Sequence, residues 1–157
     1  MSTAKPPFET PFHEVFGQAH SDPECVTLFK GWTRLTTNPH GEMESQPLQG
    51  FFHAGTQFVT HYKLTVNDKT PTRTLATQIG LREWCGVFLV PGTSEQGNLA
   101  EGTIPKGALE LRVLRSLEKG WQESIRLRNH SSYPQEATLR LELGCPIGDV
   151  ELEEEMK

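Results

Sequence analysis

Histidines are the first residues to consider for chemistry, because imidazole is a common metal ligand and a common acid or base. The sequence has six of them, and none belongs to an HxH or HExxH motif. His53 and His61 would share one face of an uninterrupted strand, but Gly55 is expected to break that strand. A transition-metal site needs three or four ligands in a fixed geometry. We therefore expect no metal site among His13, His20, His40, His53, His61 and His130.

Carboxylates are the next candidates, since glycoside hydrolysis needs two of them facing one sugar. Glu83, Glu110 and Glu123 lie in or beside predicted strands. Each also fits the solvated outer face or the rim of a strand, where a charge is ordinary. The sequence contains no GxSxG nucleophile motif. We therefore predict no catalytic residues, no metal-binding or cofactor-binding residues, and no cofactor.

The tryptophans could bind a sugar, because an exposed aromatic ring packs well against the C–H groups of a pyranose. Trp32, Trp84 and Trp121 each lie next to a turn-forming glycine or at a strand end. Large aromatic side chains in β-sandwiches more often fill the core, so both interpretations stay open for all three.

The composition indicates a small domain without the features of a nucleic-acid or membrane protein. The 157 residues have a net charge of −5 at pH 7 and a mean hydropathy of −0.49. No basic patch is evident, and no apolar run is long enough to cross a bilayer. Cys25, Cys85 and Cys145 are odd in number and widely spaced, unlike a disulfide framework. With no signal peptide at the N-terminus, these thiols predict a cytoplasmic protein. Cys85 is expected to be a small core residue.

The elements that would position these residues are strands. The clearest pattern comes last, where apolar residues alternate with polar ones over Leu109–Val113, Ile125–Arg128 and Ala137–Leu143, as expected for antiparallel strands. Earlier segments are rich in β-favouring residues: Cys25–Lys30, Trp32–Thr37, Gly50–Ala54, Gln57–Val66, Thr72–Ile79 and Trp84–Val90. Roughly nine strands predict a single-domain, all-β antiparallel β-sandwich of a supersandwich-like kind, although the pattern does not exclude a barrel.

The same patterns divide the chain into three segments. Residues 1–24 contain several prolines and no periodicity, which predicts an extended N-terminal arm. Residues 25–148 form the β-sandwich domain. Residues 149–157 are rich in acids and predict a solvated acidic tail. Residues 91–107 interrupt the strands with a long loop that is rich in glycine.

Several of these strands resemble the N-terminal domain of bacterial glycogen-debranching-enzyme-type (amylo-alpha-1,6-glucosidase-like) proteins. Gly50–Thr60 with Tyr62–Asn67 is similar to its "GlFyrDTRfLs…leLrlNG" segment. Ile104–Leu111 is similar to its "lprgtLhl" strand, and Trp121–Asn129 to its "yeRlrLrNy" strand. The resemblance covers roughly residues 25 to 150. It implies a β-sandwich that precedes an (α/α)6 catalytic domain. The catalytic carboxylates of that family belong to the later domain, so we expect this chain to be a stand-alone or truncated relative.

One departure from the resembled family suggests an interface. The family's Asp-Thr-Arg is replaced by Gly55, Thr56 and Gln57, which removes two charges. The flanking Phe51, Phe52 and Phe58 could form an apolar patch that pairs with a second copy or with another protein. All three rings could equally belong to the core.

Two function classes follow. The first is a non-catalytic module of the resembled kind, which binds a protein or a glucan and takes part in assembly, as a homo-oligomer or with another protein. The alternative is a small carbohydrate-active enzyme of the mutarotase-like β-sandwich type, with a His and a Glu facing the sugar. The first is favoured, because the chain is about half the size such an enzyme would need and its histidines are poorly placed.

Overall fold

Strands form throughout the part of the chain that the structure describes. They arise from short segments that are rich in β-branched residues or in which apolar and polar residues alternate. A computed structural model describes residues 25–92 and 104–146. The predicted arm and acidic tail, residues 1–24 and 149–157, lie outside these residues. The eleven strands within them are β1 Val26–Lys30, β2 Thr33–Thr37, β3 Met43–Glu44, β4 Gly50–His53, β5 Thr56–Val59, β6 His61–Val66, β7 Thr72–Gln78, β8 Glu83–Leu89, β9 Leu109–Ser116, β10 Gln122–Asn129 and β11 Leu139–Gly144.

The strands form three antiparallel sheets. Sheet I has the order β1-β2-β4-β5, sheet II the order β10-β9-β8-β7, and sheet III the order β11-β6-β3. One hydrophobic core draws on all three, with Leu28 and Leu35 from sheet I, Val66 from sheet III, and Trp84 and Leu111 from sheet II. The predicted all-β, antiparallel sandwich class is confirmed, and the described residues contain no helix.

The predicted strand over Gln57–Val66 is wrong, because the chain changes sheets within it. β5 ends at Val59 in sheet I, and β6 begins at His61 in sheet III. A β-bulge precedes the change: Val59 pairs with Phe51 and Gln57 with Phe52, so Phe58 has no direct partner. Bulges and bends of this kind let a strand turn a corner between packed sheets.

Cys85 is not the core residue that the sequence predicts. Its neighbours Trp84 and Gly86 face the core, so the period of two directs Cys85 to the outer face of sheet II. There it lies opposite the exposed Leu114 of β9. No disulfide joins Cys25, Cys85 and Cys145, all of which are described.

Candidate functional site

Four hairpin turns meet at one end of the sandwich, which we call the hairpin end. They are the turns between β1 and β2, β4 and β5, β7 and β8, and β9 and β10. Backbone hydrogen bonds hold them together: Ala54 N donates to Trp32 O (3.0 Å), Phe29 N to Leu81 O (2.7 Å), and Leu117 N to Arg82 O (3.0 Å). Because loops at the end of a sandwich are free to vary over a rigid scaffold, they are a common place for a binding site.

A charged cluster also ties these turns together. Lys30 Nζ lies 3.1 Å from Glu118 Oε2, and Arg82 Nη1 lies 3.5 Å from Glu118 Oε1. Lys30 also donates to the backbone carbonyl of Glu118. The hydrogen bond from Lys30, followed by its charge and by Arg82, holds the pKa of the Glu118 carboxyl below its usual range. The cluster therefore joins the β1–β2, β7–β8 and β9–β10 turns through one carboxylate.

The hairpin end also exposes large apolar side chains. Trp32 is 70% exposed, Leu81 71% and Ile79 50%. Gly31, directly before Trp32, has a φ of +56°, a left-handed conformation that glycine adopts readily in a tight turn. Three large apolar side chains that are at least half exposed within adjoining turns are more than the scattered surface leucines of an ordinary domain.

The other two tryptophans do not offer a sugar platform of this kind. Trp84 is 1% exposed, so its ring faces are covered by the core. Trp121 is half-buried, with its ring centroid 5.9 Å from that of Phe51 and 5.3 Å from that of Tyr62. Trp32 is therefore the tryptophan whose position fits the predicted platform.

Beneath Trp121 lies a buried charge that the sequence did not lead us to expect. The Arg115 guanidinium carbon lies 4.5 Å from the centroid of the Tyr62 ring, 5.0 Å from Trp84 and 5.7 Å from Trp121. Arg115 is 2% exposed. Aromatic ring faces attract a cation more strongly where water is excluded, so the three rings stabilise the guanidinium.

Glu123 completes this cluster. Arg115 Nε donates to Glu123 Oε2 at 3.1 Å, and the Tyr62 hydroxyl donates to Glu123 Oε1. Burial raises the pKa of the Tyr62 phenol well above its usual range, so the phenol remains a donor at neutral pH. The predicted position of Glu123 on a solvated face is wrong, because it lies on the core-facing side of β10.

A pocket next to Arg115 is too small for a sugar. Its lining includes His40, Tyr62, Trp84 and Arg115, and its free volume is about 20 Å³. That is room for about one water molecule, whereas sites for small organic ligands usually have about 300 Å³ or more. Within the described ranges, no group of three or more His, Cys, Asp or Glu residues is arranged to hold a metal ion.

The family model for the N-terminal domain of (some) glycogen debranching enzymes matches residues 28–151. The chain belongs to this family. The match begins within β1 and runs through β11, so this debranching-enzyme N-terminal domain includes all three sheets. No curated protein and no solved structure gives a significant match to the chain. Between residues 25 and 92 and between 104 and 146, no helix is long and apolar enough to cross a membrane.

The predicted interface residues of this debranching-enzyme domain do not form one patch. Phe51 and Phe52 are neighbours on β4 and therefore point to opposite faces of sheet I. The Phe51 ring lies on the core side, 5.9 Å from Trp121 and 6.4 Å from Phe58. The Phe52 ring lies on the other side, with the Arg34 guanidinium carbon 4.1 Å from its centroid.

The altered motif between these strands lies at the hairpin end. Gly55 and Thr56 are exposed in and after the β4–β5 turn. Gln57 is partly buried, and its Nε2 donates to the carbonyl of Gln49 at 2.9 Å. Gly55 and Thr56 thus share the hairpin end with Trp32, whereas Gln57 braces the loop before β4.

Proposed function

We propose that this debranching-enzyme N-terminal domain is a non-catalytic module that binds a protein partner through the hairpin end. The observation that carries the proposal is the exposure of Trp32, Leu81 and Ile79 in adjoining turns. An aromatic and aliphatic cluster that is bordered by charges, here Lys30, Arg82 and Glu118, has the composition of a protein interface.

The partner that fits best is the catalytic domain of a glycogen debranching enzyme, on the same chain or on another. The matched family is described as the N-terminal domain of such enzymes. A module of this kind would hold the catalytic domain in place, and the catalytic carboxylates would come from that domain.

The environment of two candidate acids supports a non-catalytic role. Glu123 is occupied by Arg115 and by the Tyr62 hydroxyl. Glu110 accepts a hydrogen bond from Arg112 Nε, and its Oε2 lies 3.3 Å from His130 Nε2. The hydrogen bond from Arg112, ahead of the smaller contribution of His130, lowers the pKa of Glu110. A carboxylate held ionised in this way is a poor general acid, which glycoside hydrolysis requires.

The docking proposal can be tested by titrating the full chain with a separately produced debranching catalytic domain in a calorimeter. Trp32→Ala and Leu81→Ser should each weaken binding by about tenfold or more, as expected for residues central to an interface. Tyr133→Ala is the matched control, because Tyr133 is also exposed, at 66%, but lies beyond the other end of β10. Equal binding by all variants, or no binding by the parent, would contradict the proposal.

The exposure of Trp32 also supports a second function, the binding of a glucan. An indole that is 70% exposed can pack against the apolar face of a glucose unit. Affinity electrophoresis in gels with and without glycogen tests this directly. The parent should be retarded by glycogen, Trp32→Ala should migrate freely, and Trp32→Phe should keep part of the retardation. Equal mobility of parent and Trp32→Ala would refute a role for this ring.

We also propose a cytoplasmic location, where the thiols would stay reduced. The odd number and wide spacing of Cys25, Cys85 and Cys145, which do not suit a disulfide framework, support this proposal. Mass spectrometry of the protein from its native cells, alkylated before lysis, should find all three thiols modified. A native disulfide would contradict it.

A further inference from the structure

Strand β11 has one backbone edge with which no other strand of the described ranges pairs. It lies at the end of sheet III. Val66 uses its own N–H and C=O to bond Lys69, and Asn67 N donates to Thr138 O. Val66 therefore makes no backbone hydrogen bond to Leu139, its partner on β11. Hydrogen-bonded and non-hydrogen-bonded pairs alternate along an antiparallel ladder, so the pairs formed by Leu141 and Leu143 are also non-hydrogen-bonded. Leu139, Leu141 and Leu143 therefore direct their backbone N–H and C=O groups away from β6.

The side chains of the same three leucines extend the core face of sheet III. They lie opposite Val66, Leu64 and Tyr62, which are all buried, and residues that are directly opposite share one face of the sheet. Leu139, Leu141 and Leu143 are nevertheless 44%, 48% and 55% exposed. Long edge strands with an apolar face are a site of strand addition by another chain.

The charges on β11 specify which chain fits this edge. Arg140 and Glu142 flank Leu141 symmetrically, so the segment Leu139–Leu143 reads Leu-Arg-Leu-Glu-Leu. If two such strands pair antiparallel about Leu141, then Leu139 lies opposite Leu143 and Arg140 lies opposite Glu142. Each apolar residue meets an apolar residue, and each charge meets its opposite.

We propose that a second copy of this chain pairs with β11 in this register, about a two-fold axis through Leu141. The two copies exchange about six backbone hydrogen bonds through Leu139, Leu141 and Leu143, and the two three-stranded sheets become one continuous sheet. Arg140 gives up its bond to Asp68, in which Nη1 and Oδ1 are 3.1 Å apart. The two side chains of that pair are 62% and 81% exposed, so the loss costs little.

This dimer deepens the proposed assembly role by naming one protein partner, but it uses none of the residues of the hairpin end. A monomeric chain that still binds the debranching catalytic domain would disprove the dimer and leave the docking proposal intact. A chain that forms the dimer but does not bind the catalytic domain would disprove the docking proposal and leave the dimer intact.

The test is analytical ultracentrifugation of the full chain over a concentration series, with a charge swap across the two-fold axis. Arg140→Glu places two carboxylates opposite each other at two symmetric positions and should weaken dimerisation roughly tenfold. The double variant Arg140→Glu/Glu142→Arg restores opposite charges across the axis and should recover the affinity of the parent. It does not restore the pair with Asp68, so recovery reports on the dimer and not on the fold of the monomer.

Circular dichroism of each variant checks that β11 remains folded. A monomeric parent at every concentration would overturn the proposal. So would a dimer that is unaffected by Arg140→Glu, or one that the double variant fails to restore.

Discussion

Arg115 and Glu123 pair across the β9–β10 hairpin on the core-facing side of sheet II, with Arg115 Nε 3.1 Å from Glu123 Oε2. Their side chains are 3% and 12% exposed. Bringing two charges out of water is costly, and the loss of one partner leaves the other without compensation. Removing one partner is therefore expected to destabilise the fold more than replacing both partners together.

The first prediction follows from this burial. Glu123→Ala should lower the free energy of unfolding by about 3–5 kcal/mol, because the Arg115 guanidinium then stays buried without the carboxylate that pairs with it. Urea unfolding followed by tryptophan fluorescence measures the change. The double variant Arg115→Met/Glu123→Leu should cost clearly less than the sum of the losses measured for Arg115→Met alone and Glu123→Leu alone. Additive losses would show that the two residues are not coupled.

The second prediction concerns the chain next to Arg115. Gly41 has a φ of +81°, and a Cβ there would lie 2.7 Å from Trp84 Cη2 and 3.1 Å from Arg115 Nη1. Gly107 is a matched control, since its φ is +78° and a Cβ there would meet nothing within 4 Å. Gly107→Ala should cost about 1–2 kcal/mol for the left-handed backbone. Gly41→Ala should cost more in the same unfolding experiment, and equal losses would contradict the contact with the aromatic cluster.

The third prediction separates the two adjacent phenylalanines. Phe51→Ser removes a ring from between Trp121 and Phe58 and should cost about 2 kcal/mol or more in unfolding free energy. Phe52→Ser removes a ring that lies against Arg34 on the other face and should cost about 1 kcal/mol or less. Thermal unfolding of the two variants beside the parent measures both. If the two losses are equal, the two rings do not lie on different faces.

Period-two alternation predicted the class of the fold and much of its core. Leu109, Leu111 and Val113 face inward as predicted, and the same alternation continued along β9 reaches Arg115. The signal for the buried charge was therefore present, because Glu123 likewise lies in phase with Ile125 on β10. A charged residue at a core-facing position is usually taken to mark the end of the strand. The sequence does not show the oppositely charged partner that makes its burial tolerable.

Changes of sheet were harder to predict. The Gln57–Val66 segment keeps its β-favouring composition through Thr60, so nothing local marks the point where the chain leaves sheet I for sheet III. The two-residue strand β3 is too short to show any period. Which side chains are exposed at the hairpin end depends on which turns come together there. That is decided by tertiary contacts such as the backbone hydrogen bond from Phe29 to Leu81. The platform position of Trp32 therefore could not be distinguished in the sequence from those of Trp84 and Trp121.

The last prediction is a pH dependence at the hairpin end. Lys30, and then Arg82, lower the pKa of Glu118 from the usual value of 4.5. The unfolded chain therefore binds a proton at a higher pH than the folded protein does. The stabilisation from Glu118 is complete above about pH 4.5 and is lost as the pH falls through the lower, folded pKa.

Melting temperatures measured from neutral to acidic pH should show this as a difference between parent and Glu118→Gln. The difference should be small, because the Lys30 and Glu118 side chains are 36% and 51% exposed, and it should shrink in high salt. It should also disappear in the most acidic samples, where the parent's carboxylate is protonated. Glu136→Gln is the control, since it removes an exposed carboxylate that has no salt bridge among the described residues. A difference that persists unchanged at acidic pH would mean that the Glu118 charge does not stabilise the hairpin end.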